Sequence, residues 1–268
     1  MTSIIYHRNN ITMNETGKYL QAVRARKPLV HHITNVVTVS DCANVTLCVG
    51  GLPVMANSPR EAAEMVGLAQ ALVLNIGTLH EEQIEAMVLA GRKANELGIP
   101  IILDPVGAGA TSYRTQTARH LLRQLTVAVV KGNAGEVATL AGERAEVRGV
   151  ESGAVAEIVR PARALSEMTG GVVAVTGERD LVVQGEREEW IAGGSPRMRT
   201  FVGSGCVAAS VIGCFVGAHP REPFAATVAA LTYYRKAAEQ AAGSTPDDPI
   251  AFRNRVYAML AEIAPEEL

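Results

Sequence analysis

Short apolar runs alternate with amphipathic segments along most of the chain from about residue 70 onward. Runs of this kind, bounded by glycine or polar residues, are typical of buried strands, and the amphipathic segments are typical of helices. The predicted strands lie at 71–76, 100–104, 126–131 and 171–175, and the predicted helices at 81–97, 115–124 and 155–169. Repeated strand, helix and strand units predict an α/β fold, with a mostly parallel sheet covered by helices on both faces.

The pattern changes after residue 177. Short apolar stretches at 181–183 and 188–191, separated by turns, predict an antiparallel edge of the sheet. Pro161 predicts that a helix breaks or starts within 155–169, because proline disrupts a helix interior. Three more helices are predicted, one that opens at Gly205 and Cys206, one at about 223–241 and one at about 249–263.

Composition favours one large core. Apolar residues make up 48% of the chain and aromatic residues only 4%, so valine, alanine, leucine and isoleucine must fill the interior, as in buried parallel strands. The length suits a single domain, and no linker-like tract marks a boundary within 1–268. A formal net charge of −2 supplies no field that would attract nucleic acid.

The chain carries no pattern for a membrane or an export signal. Its longest apolar stretch, 207–218, is shorter than the ~20 residues that span a bilayer, and the first residues lack an apolar signal core. The cysteines show neither metal-binding C-x-x-C spacing nor the density of a disulfide framework. We therefore expect no membrane association and a reducing, cytoplasmic location.

The loop at 203–206 is the first candidate for chemistry. Gly203 and Gly205 allow a sharp turn and a close backbone approach, and the N–H groups at the start of the next helix suit a phosphate. We expect a short extended segment before this loop and Cys206 in the first helical turn after it. A reactive side chain would then lie next to an anion-binding loop. However, Gly-Ser-Gly also forms ordinary strand-to-helix turns.

Four motifs follow predicted strand ends and combine glycines with reactive groups. They are 104–109 with Asp104, 131–136 with Lys131, Asn133 and Glu136, 176–178 with Thr176, and 203–206 with Cys206. Ligands of open α/β sheets lie at the carboxyl ends of the strands, so we expect these motifs to meet there. Together they offer carboxylates for Mg²⁺, a cation and N–H groups for phosphates, and an activator for an acceptor hydroxyl, which are the groups needed for phosphoryl transfer.

Each motif also has a purely structural interpretation. Asp104 can cap the segment that follows it, and Lys131 can be a solvated strand end. Asn133 and Glu136 can form a capping pair for a surface helix. The chain contains no P-loop motif, and no glycine-rich dinucleotide motif opens an early strand–helix unit.

Taken together, these motifs resemble those of the hydroxyethylthiazole kinase family, thiamine-salvage enzymes of the ribokinase-like superfamily. The resemblance covers roughly 28–241. The matching blocks lie at 28–35, 41–44, 53–56, 75–79, 104–108, 132–136, 175–178 and 203–206. It implies a ribokinase-like three-layer sandwich in one kinase domain over 1–268, with 1–12 as an N-terminal extension.

The resemblance also implies an activity and a site. The activity is ATP- and Mg²⁺-dependent phosphorylation of the primary hydroxyl of 4-methyl-5-(2-hydroxyethyl)thiazole, for thiamine biosynthesis. Cys206, where related kinases usually carry aspartate, would lie against that hydroxyl. The other implied residues are Met55, Gly203 and Asn35 for the thiazole, Lys131, Thr176 and Gly205 for ATP, and Asp104, Glu136 and Asn133 for Mg²⁺.

Two positions of this chain depart from the pattern of the family. Lys131 stands where the family commonly has arginine, so the charge is kept but the bidentate grip on phosphate is lost. Ser204 replaces the more usual threonine and keeps the hydroxyl. The resemblance implies a homotrimer in which Asn35 and Met55 face the 203–206 loop of a neighbouring subunit.

Other functions of the same fold stay open at this point. They are a kinase for hydroxymethylpyrimidine or pyridoxal, an ATP- or ADP-dependent dehydratase of hydrated nicotinamide nucleotides, and a nucleotide-binding regulator without catalysis. The first two usually keep aspartate where this chain has Cys206. Lys131 is the feature that favours the third.

Overall fold

The computed structural model describes residues 13–143 and 154–268, in which eight strands form one sheet. The predicted extension at 1–12 lies outside the described residues. The strands are β1 (Leu29–Ile33), β2 (Leu52–Val54), β3 (Ala71–Asn75), β4 (Ile101–Asp104), β5 (Val129–Gly132), β6 (Val172–Val175), β7 (Asp180–Gln184) and β8 (Arg187–Ile191). Their order across the sheet is β2-β1-β3-β4-β5-β6-β7-β8.

Neighbouring strands are parallel from β2 through β6, and the pairs β6–β7 and β7–β8 are antiparallel. This arrangement confirms both the parallel sheet and the antiparallel edge predicted from the sequence. In the register of β3 and β4, Asn75 lies directly beside Asp104 at the carboxyl ends of the two strands.

Helices cover both faces of the sheet. They are α1 (Met13–Arg26), α2 (Val39–Val49), α3 (Ala62–Val66), α4 (Glu81–Leu97), α5 (Ser112–Gln124), α6 (Ala134–Leu140), α7 (Ala154–Thr169), α8 (Ser204–Ala218), α9 (Pro223–Ser244) and α10 (Pro249–Glu262). Short 3-10 helices occur at Pro196–Arg199 and Pro265–Glu267. Among the described residues, no helix is long and apolar enough to cross a membrane.

Two buried clusters, one on each face of the sheet, make the fold a three-layer sandwich. Alternate strand residues point to opposite faces, so Val73 joins the cluster with α1, α2, α8, α9 and α10, while Leu72 and Leu74 join the cluster with α3 to α7. The predicted three-layer α/β architecture is confirmed. Because α8 lies between the sheet and other helices, all its residues from 207 to 218 are buried.

Two local predictions are wrong. α7 continues through Pro161, because Ala162 and Leu165 are fully buried against the sheet and this packing offsets the ~3 kcal/mol that an interior proline costs. The segment before residue 203 contains the 3-10 helix Pro196–Arg199 where an extended segment was expected. Proline is favoured in a first helical turn, and the Ser195 side chain caps this one by accepting from the backbone N–H of Arg197.

Candidate active site

The loop at 203–206 lies at the N-terminus of α8 and places Cys206 in its first turn, as predicted. Gly203 has a φ of 95°, a left-handed conformation that disfavours other residues. A Cβ at this position would also lie 2.6 Å from Cγ2 of Thr38, so both the turn and the close approach require glycine. The first N–H groups of α8 have no partner within the helix and are available to an anion.

The sulfur of Cys206 is half-buried and faces two amide side chains. Nδ2 of Asn35 and Nδ2 of Asn75 each donate a hydrogen bond to Sγ at 3.3 Å. Asn35 follows β1 and Asn75 ends β3, so two neighbouring strands hold the sulfur from the sheet side. The expectation that Asn35 faces the 203–206 loop of a neighbouring subunit is therefore wrong, because Asn35 contacts Cys206 of its own chain.

Asp104 and Lys131 form a buried ion pair beside this thiol. Nζ of Lys131 lies 3.1 Å from Oδ1 of Asp104, and both side chains are almost completely buried. Burial raises the pKa of Asp104 to about 6, although the ammonium of Lys131 opposes the shift. Burial would lower the pKa of Lys131, but the carboxylates of Asp104 and Glu136 outweigh it and raise that pKa. The solvated strand end considered for Lys131 is therefore wrong.

Asn133 and Glu136 form a capping box at the start of α6. Oδ1 of Asn133 accepts from the backbone N–H of Glu136 at 2.9 Å, and Oε2 of Glu136 accepts from the backbone N–H of Asn133 at 2.8 Å. Oε1 of Glu136 accepts from the backbone N–H of Gly107 at 2.8 Å, which joins the loops after β4 and β5. The capping interpretation is correct, and each carboxylate oxygen keeps a second lone pair for another ligand.

A cavity of about 760 Å³ opens beside the 203–206 loop, and Ser204 and Gly205 of this loop line it. Asn133 and Thr176 also line it, and Lys131 is not among its lining residues. Nζ of Lys131 instead lies 3.1 Å from where a Cβ on Gly205 would be, directly behind the loop. The size of the cavity suits a nucleotide-sized ligand.

Sequence reasoning missed Arg235, which joins two walls of this cavity. Its guanidinium forms an ion pair with Asp180 at 2.9 Å and donates to the carbonyl oxygens of Gly177, Glu178 and Gly193. A charged residue within the apolar pattern of α9 was the available signal. Tyr234 was missed as well, and its hydroxyl donates to the carbonyl oxygen of Ser204 at 3.0 Å.

Met55 lies two strands away from Asn75 in the sheet. It follows the edge strand β2 and is half-buried, and β1 separates β2 from β3 in the sheet. Nε2 of His31 donates to the carbonyl oxygen of Ala56 at 2.8 Å, which fixes the segment after β2 to the buried face of β1. Among the described residues, no cluster of three or more His, Cys, Asp or Glu side chains has the arrangement of a metal site.

Comparison with known proteins places these features in one family. The sequence profile of the hydroxyethylthiazole kinase family matches residues 20–266. The chain is 51% identical over 251 residues to a hydroxyethylthiazole kinase from Methanoculleus marisnigri, covering 93% of this chain and 89% of the relative. It is 47% identical to one from Thermoanaerobacter pseudethanolicus, covering 92% and 94% of the two chains.

Solved structures agree with the sequence comparison. The structure of the hydroxyethylthiazole kinase protein from Pyrococcus horikoshii OT3 matches with a TM-score of 0.85 at 40% identity, over 92% of this chain and 93% of that one. An ADP complex of Bacillus subtilis pyridoxal kinase matches with a TM-score of 0.58 at 16% identity over 82% of this chain and 94% of that one, a likeness of fold alone. From its sequence and its fold, this chain is a member of the hydroxyethylthiazole kinase family.

Proposed function

We propose that this chain transfers the γ-phosphoryl group of ATP to the primary hydroxyl of 4-methyl-5-(2-hydroxyethyl)thiazole, giving the thiazole phosphate used in thiamine biosynthesis. One observation carries the proposal. Ser204 and Gly205 of the 203–206 loop line the nucleotide-sized cavity, and Cys206 of the same loop contacts Asn35 and Asn75. A phosphoryl group held by the loop would therefore have the donor in the cavity and the acceptor beside Cys206.

Different residues would bind the ATP phosphates, hold the transferring phosphoryl group and face the acceptor hydroxyl. Thr176 and Gly205 would contact the ATP phosphates, and the N–H groups of the 203–206 loop would hold the transferring oxygens. The ammonium of Lys131, directly behind Gly205, adds positive charge to the same place. The bond from the γ-phosphorus to the oxygen that bridges to ADP breaks, and ADP leaves with the electron pair. A bond from the γ-phosphorus to the alcohol oxygen forms, and the hydroxyl proton passes to the sulfur of Cys206 or to solvent beside it. A loose transition state needs little basic assistance, so positioning supplies most of the effect.

We assign the Mg²⁺ site to Asp104 and Glu136, with Asn133 in support. Mg²⁺ is usually held by one or two carboxylates together with substrate phosphates. Asp104 ends β4, and Glu136 lies in the first turn of α6, which follows the neighbouring strand β5. The free lone pairs of Glu136 and the ionised form of Asp104 fit such a role. When bound, the ion neutralises phosphate charge during transfer.

The thiazole would lie against Asn35, Gly203 and Met55, with its hydroxyl near Cys206. We propose a homotrimer in which a neighbouring subunit completes this wall. Val36 and Val37, next to Asn35, are 71% and 62% exposed, and Val202, next to Gly203, is 71% exposed, so apolar surface flanks the site. Light scattering after gel filtration should give three times the mass of the chain, and a stable monomer at micromolar concentration would contradict a shared site.

All four cysteines are free, which supports the proposal of a reducing cytoplasmic location. To test the activity, the protein is incubated with γ-labelled ATP, Mg²⁺ and separate acceptors: the thiazole alcohol, hydroxymethylpyrimidine and pyridoxal. We expect label in the thiazole phosphate at the highest rate. Preferred labelling of another acceptor, or nucleotide binding without transfer, would contradict the proposal.

A further inference from the structure

Asn75 is a buried amide at the carboxyl end of β3, and every one of its hydrogen-bonding positions is used. Its Nδ2 donates to Oδ2 of Asp104 at 2.7 Å and to Sγ of Cys206 at 3.3 Å. Its Oδ1 accepts from the backbone N–H of Gly77 and from Nδ2 of Asn35, both at 2.9 Å. An amide has two donor hydrogens and two acceptor lone pairs, so this side chain has one fixed orientation.

Backbone groups decide that orientation independently of the thiol. The backbone N–H of Gly77 can only donate, so it must face Oδ1 of Asn75, which turns Nδ2 toward Cys206. In the same way, the backbone N–H groups two and three residues after Asn35 donate to its Oδ1 at 3.1 and 3.0 Å. Both amide nitrogens therefore face the sulfur, and neither can accept a hydrogen bond.

On the side of the sulfur that faces the sheet, the neighbouring amide groups can donate hydrogen bonds to it but cannot accept one from it. Any proton on Sγ must point away from Asn35 and Asn75, toward the open side of the 203–206 loop. Asp104 is fixed in the same network, because its Oδ2 accepts from Asn75 and its Oδ1 from Lys131. A continuous chain of hydrogen bonds thus runs from Lys131 through Asp104 and Asn75 to Cys206.

We propose that Asn75 is a positioning residue for phosphoryl transfer, which holds the Cys206 sulfur and the Asp104 carboxylate in fixed relative positions. This inference rests on the proposed function. In the proposed function, the acceptor hydroxyl lies near Cys206, and Mg²⁺ with the ATP phosphates lies near Asp104. The side-chain amide of Asn75 hydrogen-bonds to both residues and so links these two parts of the site. Because small displacements of reacting groups lower rates strongly, the effect of Asn75 falls on the chemical step rather than on binding.

The test is a double-mutant cycle on kcat with Cys206. We expect Asn75→Ala to lower kcat about tenfold, with the KM values for ATP and the thiazole alcohol within about threefold of the original enzyme. In a Cys206→Ala background no sulfur remains to be positioned and only the placement of Asp104 is lost, so the same substitution should lower kcat by a clearly smaller factor. Equal losses in both backgrounds, or an unchanged kcat for Asn75→Ala, would overturn the proposal.

Asn95→Ala is the matched control. Asn95 also exchanges two amide hydrogen bonds with one backbone position, donating to the carbonyl of Thr126 and accepting from its N–H at 2.8 Å each, but it lies away from the site. This variant should lose thermal stability and keep its kcat. If Asn75→Ala does not fold, Asn75→Ser takes its place, since one hydroxyl can donate to only one of the two partners, and an unchanged kcat would again overturn the proposal.

The outcomes separate this inference from the proposed function. A wild-type enzyme that transfers no phosphate to the thiazole alcohol contradicts the function, whereas an active wild type with an equally active Asn75→Ala variant contradicts only the role of Asn75. If Cys206→Ala has no measurable turnover, Cys206→Asp serves as the background. Its carboxylate can accept the same N–H groups, so Asn75→Ala should again lower kcat about tenfold, and an undiminished rate would overturn the proposal.

Discussion

At the scale of single residues, the side chain at position 206 is defined by the groups that point at it. Two side-chain amide groups donate hydrogen bonds to its sulfur, so the position favours a hydrogen-bond acceptor. A thiol, a thiolate and a carboxylate all satisfy this requirement. The place is therefore adapted to accept a hydrogen bond, and cysteine is one of several residues that can occupy it.

This environment predicts the behaviour of two variants. Cys206→Ala should keep measurable activity, because the N–H groups of the loop still hold the phosphoryl group. Cys206→Asp should be at least as active as the original enzyme, since its carboxylate accepts the same hydrogen bonds. Steady-state kinetics on both proteins, with circular dichroism to confirm folding, tests the prediction. Total loss of activity in a folded Cys206→Asp enzyme would contradict it.

Glu136 gives a second prediction at this scale. In Glu136→Gln, one side-chain oxygen can still accept from a backbone N–H, but the negative charge is gone and an NH₂ group replaces the other acceptor. We expect a weaker Mg²⁺ site, so that the Mg²⁺ concentration for half-maximal activity rises about tenfold or more. Metal titration of the two enzymes at saturating ATP measures this, and an unchanged titration removes Glu136 from the metal site.

His32 predicts how stability depends on pH. Burial lowers its pKa to about 4 from a usual value of 6.5, and its Nδ1–H donates to the carbonyl oxygen of Val30 while Nε2 accepts from the hydroxyl of Ser210. The unfolded chain binds a proton at this residue below 6.5, and the folded chain only below about 4. The contribution of His32 to stability is therefore fully present above pH 6.5 and falls by about 2 kcal/mol between pH 7 and pH 5.

Urea unfolding at these two pH values checks the prediction, with His32→Gln as the comparison. Glutamine can donate to Val30 and accept from Ser210 but does not titrate, so this variant should lose about 2 kcal/mol less than the wild type on acidification. The same pH dependence in both proteins would show that His32 does not carry the effect.

At the scale of elements, the packing of α8 determines where the 203–206 loop lies relative to the sheet. A Cβ at Gly213 would lie 2.8 Å from Cγ2 of Val73 and 3.1 Å from Cγ1 of Val30, so glycine lets this helix approach β1 and β3 closely. That approach brings the start of α8 over the carboxyl ends of the strands, where Cys206 meets Asn35 and Asn75.

Substitutions of two helical glycines test this packing. Gly213→Ala should destabilise the protein by about 1 kcal/mol, since overpacking against stiff valines outweighs the gain in helix propensity. Gly243→Ala in α9 is the control, because a Cβ there meets nothing within 4 Å, and it should stabilise by about 0.5 kcal/mol. Thermal unfolding measures both, and a stabilised Gly213→Ala protein would contradict the close packing.

Elements with a regular pattern were predictable, and irregular ones were not. α4 begins and ends where its acidic first turn and Gly98 indicate, because local signals determine both ends. β1 contains two adjacent histidines, and β2 is a three-residue edge strand with a proline at its centre, so no apolar run marks either of them. Tertiary pairing alone makes them strands.

At the scale of the whole molecule, the sheet order creates the site. Asn75, Asp104, Lys131 and Thr176 end or follow four adjacent strands, so residues far apart in the chain become neighbours. The sequence predicts the meeting of Asp104, Lys131 and Thr176 from the rule that ligands lie at the carboxyl ends of parallel strands, but it does not single out Asn75. It does not predict the bridge through Asn75, which depends on the register of β3 and β4 and on the distance of α8 from the sheet.

The most direct test of the account is the specificity constant for phosphoryl transfer. The purified enzyme is assayed with ATP and Mg²⁺ against the thiazole alcohol, hydroxymethylpyrimidine and pyridoxal, and kcat/KM is measured for each acceptor with identification of the product by mass. The account predicts that the thiazole phosphate forms, and that kcat/KM is highest for the thiazole alcohol. A higher kcat/KM for either other acceptor, or no phosphorylated alcohol at all, would contradict it.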